Sequence, residues 1–328
     1  MGIARPSRTR VTVWLLACTA LAAGVAPAAA PAEGDGVDVW HVQGRVYVLV
    51  GAGPNITVQV GDEALFVVDA GRAESTGEVL AAIRLLSGWP IQYVIDTSGD
   101  PEHVGGNLAL AKAGFANSGQ RGEPTTAGIV AQLNVLSRMN AAKAAHGSAP
   151  TDTYEEQWAL YNDEAVLLTH APNAHSDGDT YVFFRRSDVI STGELFNPSS
   201  YPLIERDRGG SLEGILSALN DIIGIMVPRQ NEEGGTYLIP AHGPICDHSA
   251  VVNYRDALAI IRARIRYYFA KGMTLEQVLA ARPSFDYDGL YGSDSGPWTT
   301  RLFIEAVYRE VADDAKAHGV PDDWQENH

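Results

Sequence analysis

The fold of this chain is indicated most strongly by the stretch YVIDTSGDPEHVGGN (residues 93–107). The stretch begins inside a short apolar segment, residues 91–96, which has the composition of a buried strand. The ionisable side chains of Asp100, Glu102 and His103 follow within a few residues, so we expect them in the loop after that strand. Carboxylate oxygens and imidazole nitrogens are donors with which proteins bind zinc. The stretch therefore predicts a metal site at the end of a strand.

Polar side chains lie beside predicted strands at further places along the chain. Asp69 follows the apolar run FVV, and His175 lies in the segment AHSDGD just before the strand-like segment YVFF. Glu194 follows VIST, and His242 lies in PAHGP after YLI. A rigid sheet can bring such loops together although they are far apart in sequence. We expect Asp69 to bond the backbone of its own loop, and Asp179, at the end of AHSDGD, to fix the loop that presents His175.

These segments are similar to the metal-binding motifs of the metallo-β-lactamase superfamily. The family pattern is His-x-His-x-Asp-His, followed by a distant His, an Asp and a final His. Here the first motif reads SGDPEH (residues 98–103) and continues into the typical VGGN, and AHSDGD, TGELF and IPAHGP are like their family counterparts. The resemblance runs from about residue 39 to at least residue 248. It implies the following metal ligands: Glu102, His103, His175, Glu194 and His242.

The departures from the family pattern weaken one of its two metal sites. In the family, the first ion is held by two histidines of the first motif and by the residue that matches His175. Those two histidines are Ser98 and Asp100 here. A serine hydroxyl is a weak ligand, whereas Asp100 stays open as a substitute ligand. The resemblance thus implies a depleted first site that keeps His175, Asp100 and, through bridging, Glu194.

The second family site keeps a full set of donors. Its ligands match Glu102, His103 and His242, and Glu194 matches an aspartate that commonly bridges the two ions. Both family aspartates are glutamates in this chain. We expect one metal ion at most. Zinc is the first choice, and the carboxylate-rich shell also tolerates iron or manganese. By position, Glu102 is the candidate general base.

The rest of the chain alternates short β-rich segments with segments of helical spacing. Strands are predicted at residues 37–42, 45–50, 55–60, 64–69, 91–96, 165–169, 180–184, 189–192 and 236–240. Helices are predicted at residues 73–87, 126–145, 211–227, 250–270, 274–281 and 299–317. This α/β (α+β) pattern predicts an αββα sandwich, in which two mixed sheets pack face to face with helices outside. We expect a domain at residues 37–248, with residues 249–328 as a helical extension packed on it.

The N-terminus has the order of a secretory signal peptide. Three arginines precede the uncharged run VTVWLLACTALAA, and small residues around Ala28 offer a cleavage site. The run is shorter than the ~20 residues that span a bilayer. We therefore expect residues 1–28 to be removed and the protein to be secreted or periplasmic, with no membrane span afterwards. An uncleaved anchor and lipoprotein processing at Cys18 stay open as alternatives.

The net charge limits the classes of partner, and the cysteine content limits the sources of stability. The formal net charge of −16 repels polyanions and argues against a nucleic-acid partner. If Cys18 leaves with the signal peptide, Cys246 has no cysteine to pair with, so stability rests on the core and on any bound metal.

The sequence therefore favours a metal-dependent hydrolase that acts on a small-molecule ester, lactone, amide or thioester outside the cytoplasm. The alternative is a pseudoenzyme that uses the cleft for binding only, and Ser98 and Asp100 motivate it. No residue in these motifs selects a β-lactam as the substrate.

Overall fold

A computed structural model describes residues 36–115, 126–143, 147–231 and 234–325. The predicted signal peptide, residues 1–28, lies outside these ranges. Among the helices in the described part of the chain, none is long and apolar enough to cross a membrane.

The first sheet has seven strands that lie side by side in the order of the sequence. They are β1 (Asp38–Gln43), β2 (Val46–Val50), β3 (Ile56–Val60), β4 (Leu65–Val68), β5 (Ile91–Ile95), β6 (Gly128–Gln132) and β7 (Asp152–Tyr154). Strands β1 to β4 pair antiparallel, whereas β4 to β7 pair parallel. The carboxyl ends of the four parallel strands therefore meet at one edge of the sheet.

The second sheet has six strands, in the order β13-β12-β11-β10-β9-β8. They are β8 (Gln157–Tyr161), β9 (Ala165–Ala171), β10 (Asp179–Phe184), β11 (Val189–Gly193), β12 (Tyr237–Pro240) and β13 (Cys246–Asp247). Only the pair β11 and β12 is parallel, so the residues that follow these two strands emerge next to each other.

The α-helices of the described residues are α1 (Thr76–Leu86), α2 (Pro101–Val104), α3 (Asn107–Ala113), α4 (Leu133–Ala141), α5 (Leu212–Ile225), α6 (His248–Ala270), α7 (Leu275–Ala281), α8 (Asp288–Tyr291) and α9 (Thr300–His318). The predicted start of α5 is confirmed, because the Ser211 hydroxyl accepts a hydrogen bond from the Gly214 N–H at 3.0 Å.

Four layers result from the alternation of side chains along the strands. Between the sheets lies an apolar core that includes Phe66, Val68, Ile95, Leu168 and Phe184. The outer face of the first sheet is covered by α1 and α3 through Val79, Ile83 and Leu110. The outer face of the second sheet is covered by α5, α6 and α9 through Leu219, Leu258 and Phe303. The αββα sandwich that the sequence predicts is therefore the fold of this chain.

The predicted helix at residues 126–145 is wrong in its first part, and residues 144 and 145 lie outside the described residues. Residues 128–132 form β6, and only Leu133–Ala141 is helical, as α4. Ile129, Val130 and Ala131 are almost fully buried between β5 and β7. Because a central strand buries both faces, its sequence lacks the polar alternation that distinguishes a strand from a buried helix.

Candidate metal centre

His103 is positioned by a short helix pressed against the loop after β4. Pro101 is the first residue of α2, where its missing N–H leaves no hydrogen bond unmade. The His103 carbonyl accepts a hydrogen bond from the Ala70 N–H at 2.7 Å. A Cβ on Gly106 would lie 2.3 Å from the Ala70 carbonyl oxygen, so only glycine permits this approach. The Gly-Gly pair after the first motif thus fixes where the His103 side chain lies.

Glu194 and His242 come together because they follow the parallel strands β11 and β12. The Ala241 N–H donates to the Gly193 carbonyl at 3.0 Å, which holds the two strand ends in register. Gly193 has a φ of 52°, and a Cβ there would lie 2.5 Å from the Thr97 hydroxyl. The turn at Gly193 therefore requires glycine, and it brings Glu194 towards the first sheet.

Four predicted ligands form one group, called here the Glu194 cluster: Glu102, His103, Glu194 and His242. The Oε1 of Glu194 lies 3.1 Å from the Nε2 of His103 and 3.1 Å from the Nε2 of His242. The Oε1 of Glu102 lies 3.5 Å from the same His242 nitrogen. Its other oxygen lies 3.5 Å from Arg72. Two imidazoles thus contact the same Glu194 oxygen, and Glu102 approaches one of them.

Asp69 holds the His103 ring from behind. The Oδ2 of Asp69 lies 3.0 Å from the Nδ1 of His103, and both side chains are buried. Asp69 also accepts hydrogen bonds from the Thr97 N–H at 2.9 Å and from the Thr97 hydroxyl at 2.8 Å. A carboxylate bonded to the far nitrogen of a histidine fixes the ring and leaves Nε2 free to act as a ligand.

A second group lies nearby, and we call it the Asp100 cluster: Asp100, His175 and Glu205. The Nε2 of His175 lies 3.6 Å from Asp100 Oδ2 and 3.7 Å from Glu205 Oε2. This nitrogen is fully buried and has no hydrogen-bond partner. The other ring nitrogen lies 3.2 Å from Asp179, which also accepts the Ser176 N–H at 2.6 Å. Asp179 therefore fixes the orientation of the His175 ring, as Asp69 fixes that of the His103 ring.

Glu205 and the neighbouring Arg208 are not among the residues that the sequence predicts for the site. Glu205 joins Asp100 and His175, and Arg208 forms ion pairs with both Asp100 and Glu205. Glu194, which the resemblance also implies for this site, contacts His103 and His242 in the other cluster. The Ser98 hydroxyl donates to Asp100 Oδ2 at 3.2 Å. Glu205 and Arg208 lie in a loop without a strand or helix pattern, so the sequence offered no signal for them.

Electrostatics in the Glu194 cluster favour one ionised carboxylate between two histidines. Burial raises the pKa of Glu194, but the hydrogen bonds and charges of His103 and His242 outweigh it and lower the pKa strongly. Burial lowers the pKa of His103, whereas Asp69 and Glu194 raise it well above its ordinary value. The hydrogen bond to Glu194 raises the pKa of His242 despite its partial burial. Protons and a divalent ion thus compete for the same imidazole nitrogens.

The Asp100 cluster is also strongly polarised. Burial lowers the pKa of His175, but the hydrogen bond and charge of Asp179, together with Asp100, raise it to about 9. Burial raises the pKa of Asp100, whereas His175 and Arg208 lower it below its ordinary value.

Glu102, Glu194 and His242 place donor atoms close enough together to hold a divalent metal ion, and His103 adjoins them. One oxygen from each of Glu102 and Glu194 and one nitrogen of His242 lie within 4.8 Å of one another, and His103 Nε2 touches the same Glu194 oxygen. Two imidazoles with two carboxylates are donors suited to zinc, iron or manganese. Asp100, His175 and Glu205 meet the same distance criterion, but their two carboxylates already bind a guanidinium.

A cleft of about 470 Å³ gives access to both clusters. Residues of the two clusters form part of its wall, and the rest comes mainly from the segment after β11 and from Trp298. Tyr201 stacks on Phe303, and its hydroxyl donates to Asp288, so the wall on this side is fixed by packing. The cleft has the volume of a small-molecule site.

Comparison with solved structures finds the same architecture in several hydrolases. A metallo-beta-lactamase from Pontibacter korlensis has a TM-score of 0.54 at 14% identity, over 68% of this chain and 99% of that one. The stereoselective inverting sec-alkylsulfatase Pisa1 from Pseudomonas sp. has a TM-score of 0.63 at 15% identity, over 87% of this chain and 52% of that one. The DIM-1 metallo-beta-lactamase has a TM-score of 0.53 at 12% identity, over 68% and 97%. At such identities the likeness establishes the fold alone.

Comparison with curated protein sequences gives no match. A family model for the metallo-beta-lactamase superfamily matches residues 49–229, more than half of the chain, and the match includes the first motif, His175 and Glu194. This chain therefore belongs to the metallo-beta-lactamase superfamily.

Proposed function

We propose that this protein is a metal-dependent hydrolase with a single metal ion in the Glu194 cluster, and that zinc is the preferred ion. The observation that carries the proposal is the contact of Glu194 Oε1 with the Nε2 atoms of both His103 and His242 at 3.1 Å. The superfamily typically binds metal ions, often zinc. The ligands would be Glu102, His103, Glu194 and His242.

The chemistry that a bound divalent metal supplies is Lewis acidity, towards water and towards a substrate oxygen. Glu102 is the proposed general base, because its side chain faces both the cluster and the cleft. Arg72 lies 3.5 Å from its Oε2 and orients the carboxylate. Asp69 keeps the His103 ring in one orientation, so that Nε2 faces Glu194. A base held in this way takes a proton from water and later returns it to the leaving group.

The proposed substrate is a small ester, lactone, amide or thioester. The size of the cleft supports a small molecule, and the hydrolytic activities in the names of the structural neighbours support bond cleavage by water. A second hollow of about 460 Å³ shares His242 with the cleft and is lined by Trp40, Val48 and Val50. Such a surface suits the apolar part of a substrate, so the panel of test compounds includes long acyl chains and an alkyl sulfate.

The proposed place of action is outside the cytoplasm, as a secreted or periplasmic protein. The support is the order of charges, apolar run and small residues at the N-terminus. We also propose that residues 37–248 form the catalytic domain and that residues 249–328 form an extension packed on it. Buried contacts of α6 and α9 with α5 support this arrangement.

The test is metal analysis of purified protein together with hydrolysis assays before and after chelation. We expect about one ion per chain and hydrolysis of at least one compound class, with both lost in His103→Ala and His242→Ala. Metal content that these two changes leave unaltered would contradict the proposed centre.

The same experiment separates the enzyme from a pseudoenzyme. The replacement of two family histidines by Ser98 and Asp100 is the observation that favours the second candidate. A protein that binds its metal fully, yet hydrolyses none of the panel, fits the pseudoenzyme and contradicts the hydrolase.

A further inference from the structure

The Asp100 cluster has the donor atoms of a metal site, but the guanidinium of Arg208 binds its two carboxylates. Asp100, His175 and Glu205 place one donor atom each within 4.8 Å of one another. The Nη1 of Arg208 hydrogen-bonds to Asp100 Oδ1 and to Glu205 Oε2. Both carboxylates are mostly buried, at 14% and 27% exposure. The guanidinium thus binds the two groups that a metal ion would need.

The backbone around Arg208 is anchored, so its position does not depend on the ion pairs alone. The Arg208 carbonyl accepts hydrogen bonds from the Asp177 N–H at 2.9 Å and from Arg138 Nη2 at 2.6 Å. Gly209 follows with a φ of 84°, which ends the short turn. The Glu205 N–H donates to the His175 carbonyl at 2.9 Å, which ties this loop to the loop of the histidine.

His175 shows that the cluster has kept the form of a ligand site. Its ring is fully buried, Asp179 holds Nδ1, and Nε2 faces Asp100 and Glu205 without a hydrogen bond to either. A buried nitrogen without a partner is rare in folded proteins and calls for an explanation. A buried nitrogen that faces two carboxylates in this way has the placement of a metal ligand.

A guanidinium and a divalent ion cannot both bind Glu205 Oε2 without strong repulsion. Arginine does not lose its proton in proteins, so the positive charge of Arg208 persists at every pH of interest. An ion bound to Glu205 Oε2 would lie at about 2 Å from that oxygen. The Nη1 of Arg208 is a hydrogen-bond donor to the same atom. The two cations would therefore lie within a few ångströms of each other.

We propose that the Arg208 guanidinium stands in the place of the family's first metal ion and keeps Asp100, His175 and Glu205 from binding one. Removal of this side chain opens a latent metal site at these three residues. The inference deepens the proposed function, because it sets the number of ions in the proposed metal centre.

The experiment counts zinc ions per chain in wild type, Arg208→Ala, Arg208→Gln and Arg208→Lys after equilibration with zinc and removal of the unbound ion. Each variant is checked by thermal melting, and Arg208→Gln serves if Arg208→Ala does not fold. We expect one ion in wild type and in Arg208→Lys, which keeps the charge. We expect two ions in the uncharged variants and a return to one when His175→Ala is added.

The outcomes separate this inference from the proposed function. Two ions in the wild type, or no gain in folded Arg208→Ala and Arg208→Gln, overturn the inference. A wild type without bound zinc contradicts the proposed function. In that case, the inference still stands if the uncharged variants gain one ion that depends on His175, and it falls if they gain none.

Discussion

Replacement of Asp69 by asparagine is expected to weaken metal binding while the fold is kept. The Oδ2 of Asp69 lies 3.0 Å from His103 Nδ1, and its two oxygens accept hydrogen bonds from Thr97. Asparagine keeps one acceptor oxygen for the Thr97 N–H, but it presents an NH₂ group to His103. The Nδ1 atom must then accept, so the ring proton moves to Nε2. A metal ion can then bind Nε2 only if the remaining ring proton returns to Nδ1, where it faces the NH₂ group.

The size of the effect follows from the hydrogen bond that is lost. Metal binding in Asp69→Asn requires His103 to return to the other tautomer and to give up its bond to residue 69. A hydrogen bond between neutral groups is worth about 0.5–1.5 kcal/mol. At ~1.4 kcal/mol per tenfold, this corresponds to a loss of roughly 2- to 12-fold in affinity. Changes behind metal-binding histidines in other proteins typically cost about 10- to 100-fold, because they also lower the basicity of the ligand, so we expect a loss of about 10-fold or more.

Competition with a chromophoric chelator measures this loss as a Kd for zinc, and thermal melting without metal checks the fold. The matched control is Asp179→Asn, which makes the same change behind His175 at a contact of 3.2 Å. If only the Glu194 cluster holds metal, the control leaves the Kd within about twofold of wild type. An unchanged Kd in a folded Asp69→Asn protein, or equal losses in both variants, would refute the reasoning.

Three further changes test other parts of the site. With saturating zinc, Glu102→Gln is expected to reduce kcat by about 10²- to 10⁴-fold, because the amide cannot act as a base; equal kcat values would remove Glu102 from this role. Gly193→Ala is expected to lower the free energy of unfolding by about 1–3 kcal/mol in a urea titration, since its Cβ would lie 2.5 Å from the Thr97 hydroxyl at a φ of 52°; an unaltered midpoint would argue against this strain. In the chelated protein, the pKa of His175 is raised from 6.5 to about 9, so its stabilising contribution is complete below pH 6.5 and is lost as pH rises through 9. The loss is up to about 3 kcal/mol, and it should be absent in His175→Gln; parallel stability curves for the two proteins would contradict it.

Much of the site could be predicted because its residues follow strands with clear sequence patterns. Glu194 and His242 follow the paired strands β11 and β12 of the second sheet, and His103 follows β5 of the first sheet, which packs face to face with the second. Close glycine contacts at Gly106 and Gly193 then fix the loops, and both glycines are visible in the sequence. Local pattern and topology agree here, so the sequence was informative.

The remaining features depend on tertiary contacts that no local pattern encodes. Arg208 reaches Asp100 because the hydrogen bonds of Asp177, Arg138 and Glu205 join its loop to its neighbours in space. The sequence predicts a helix where β6 lies, because Ile129 packs in the layer of α1 and α3 and Val130 packs in the core between the sheets, so both faces of the strand are apolar. Both predictions require knowledge of which residues lie next to each other in the folded chain, and a local sequence pattern does not contain it.

The number and position of metal ions in a crystal test the central claim most directly. The measurement is an anomalous difference map at the zinc edge, from crystals grown with zinc. We predict one strong peak among Glu102, His103, Glu194 and His242, and none among Asp100, His175 and Glu205. A peak at the second group, or no peak at the first, would contradict the account.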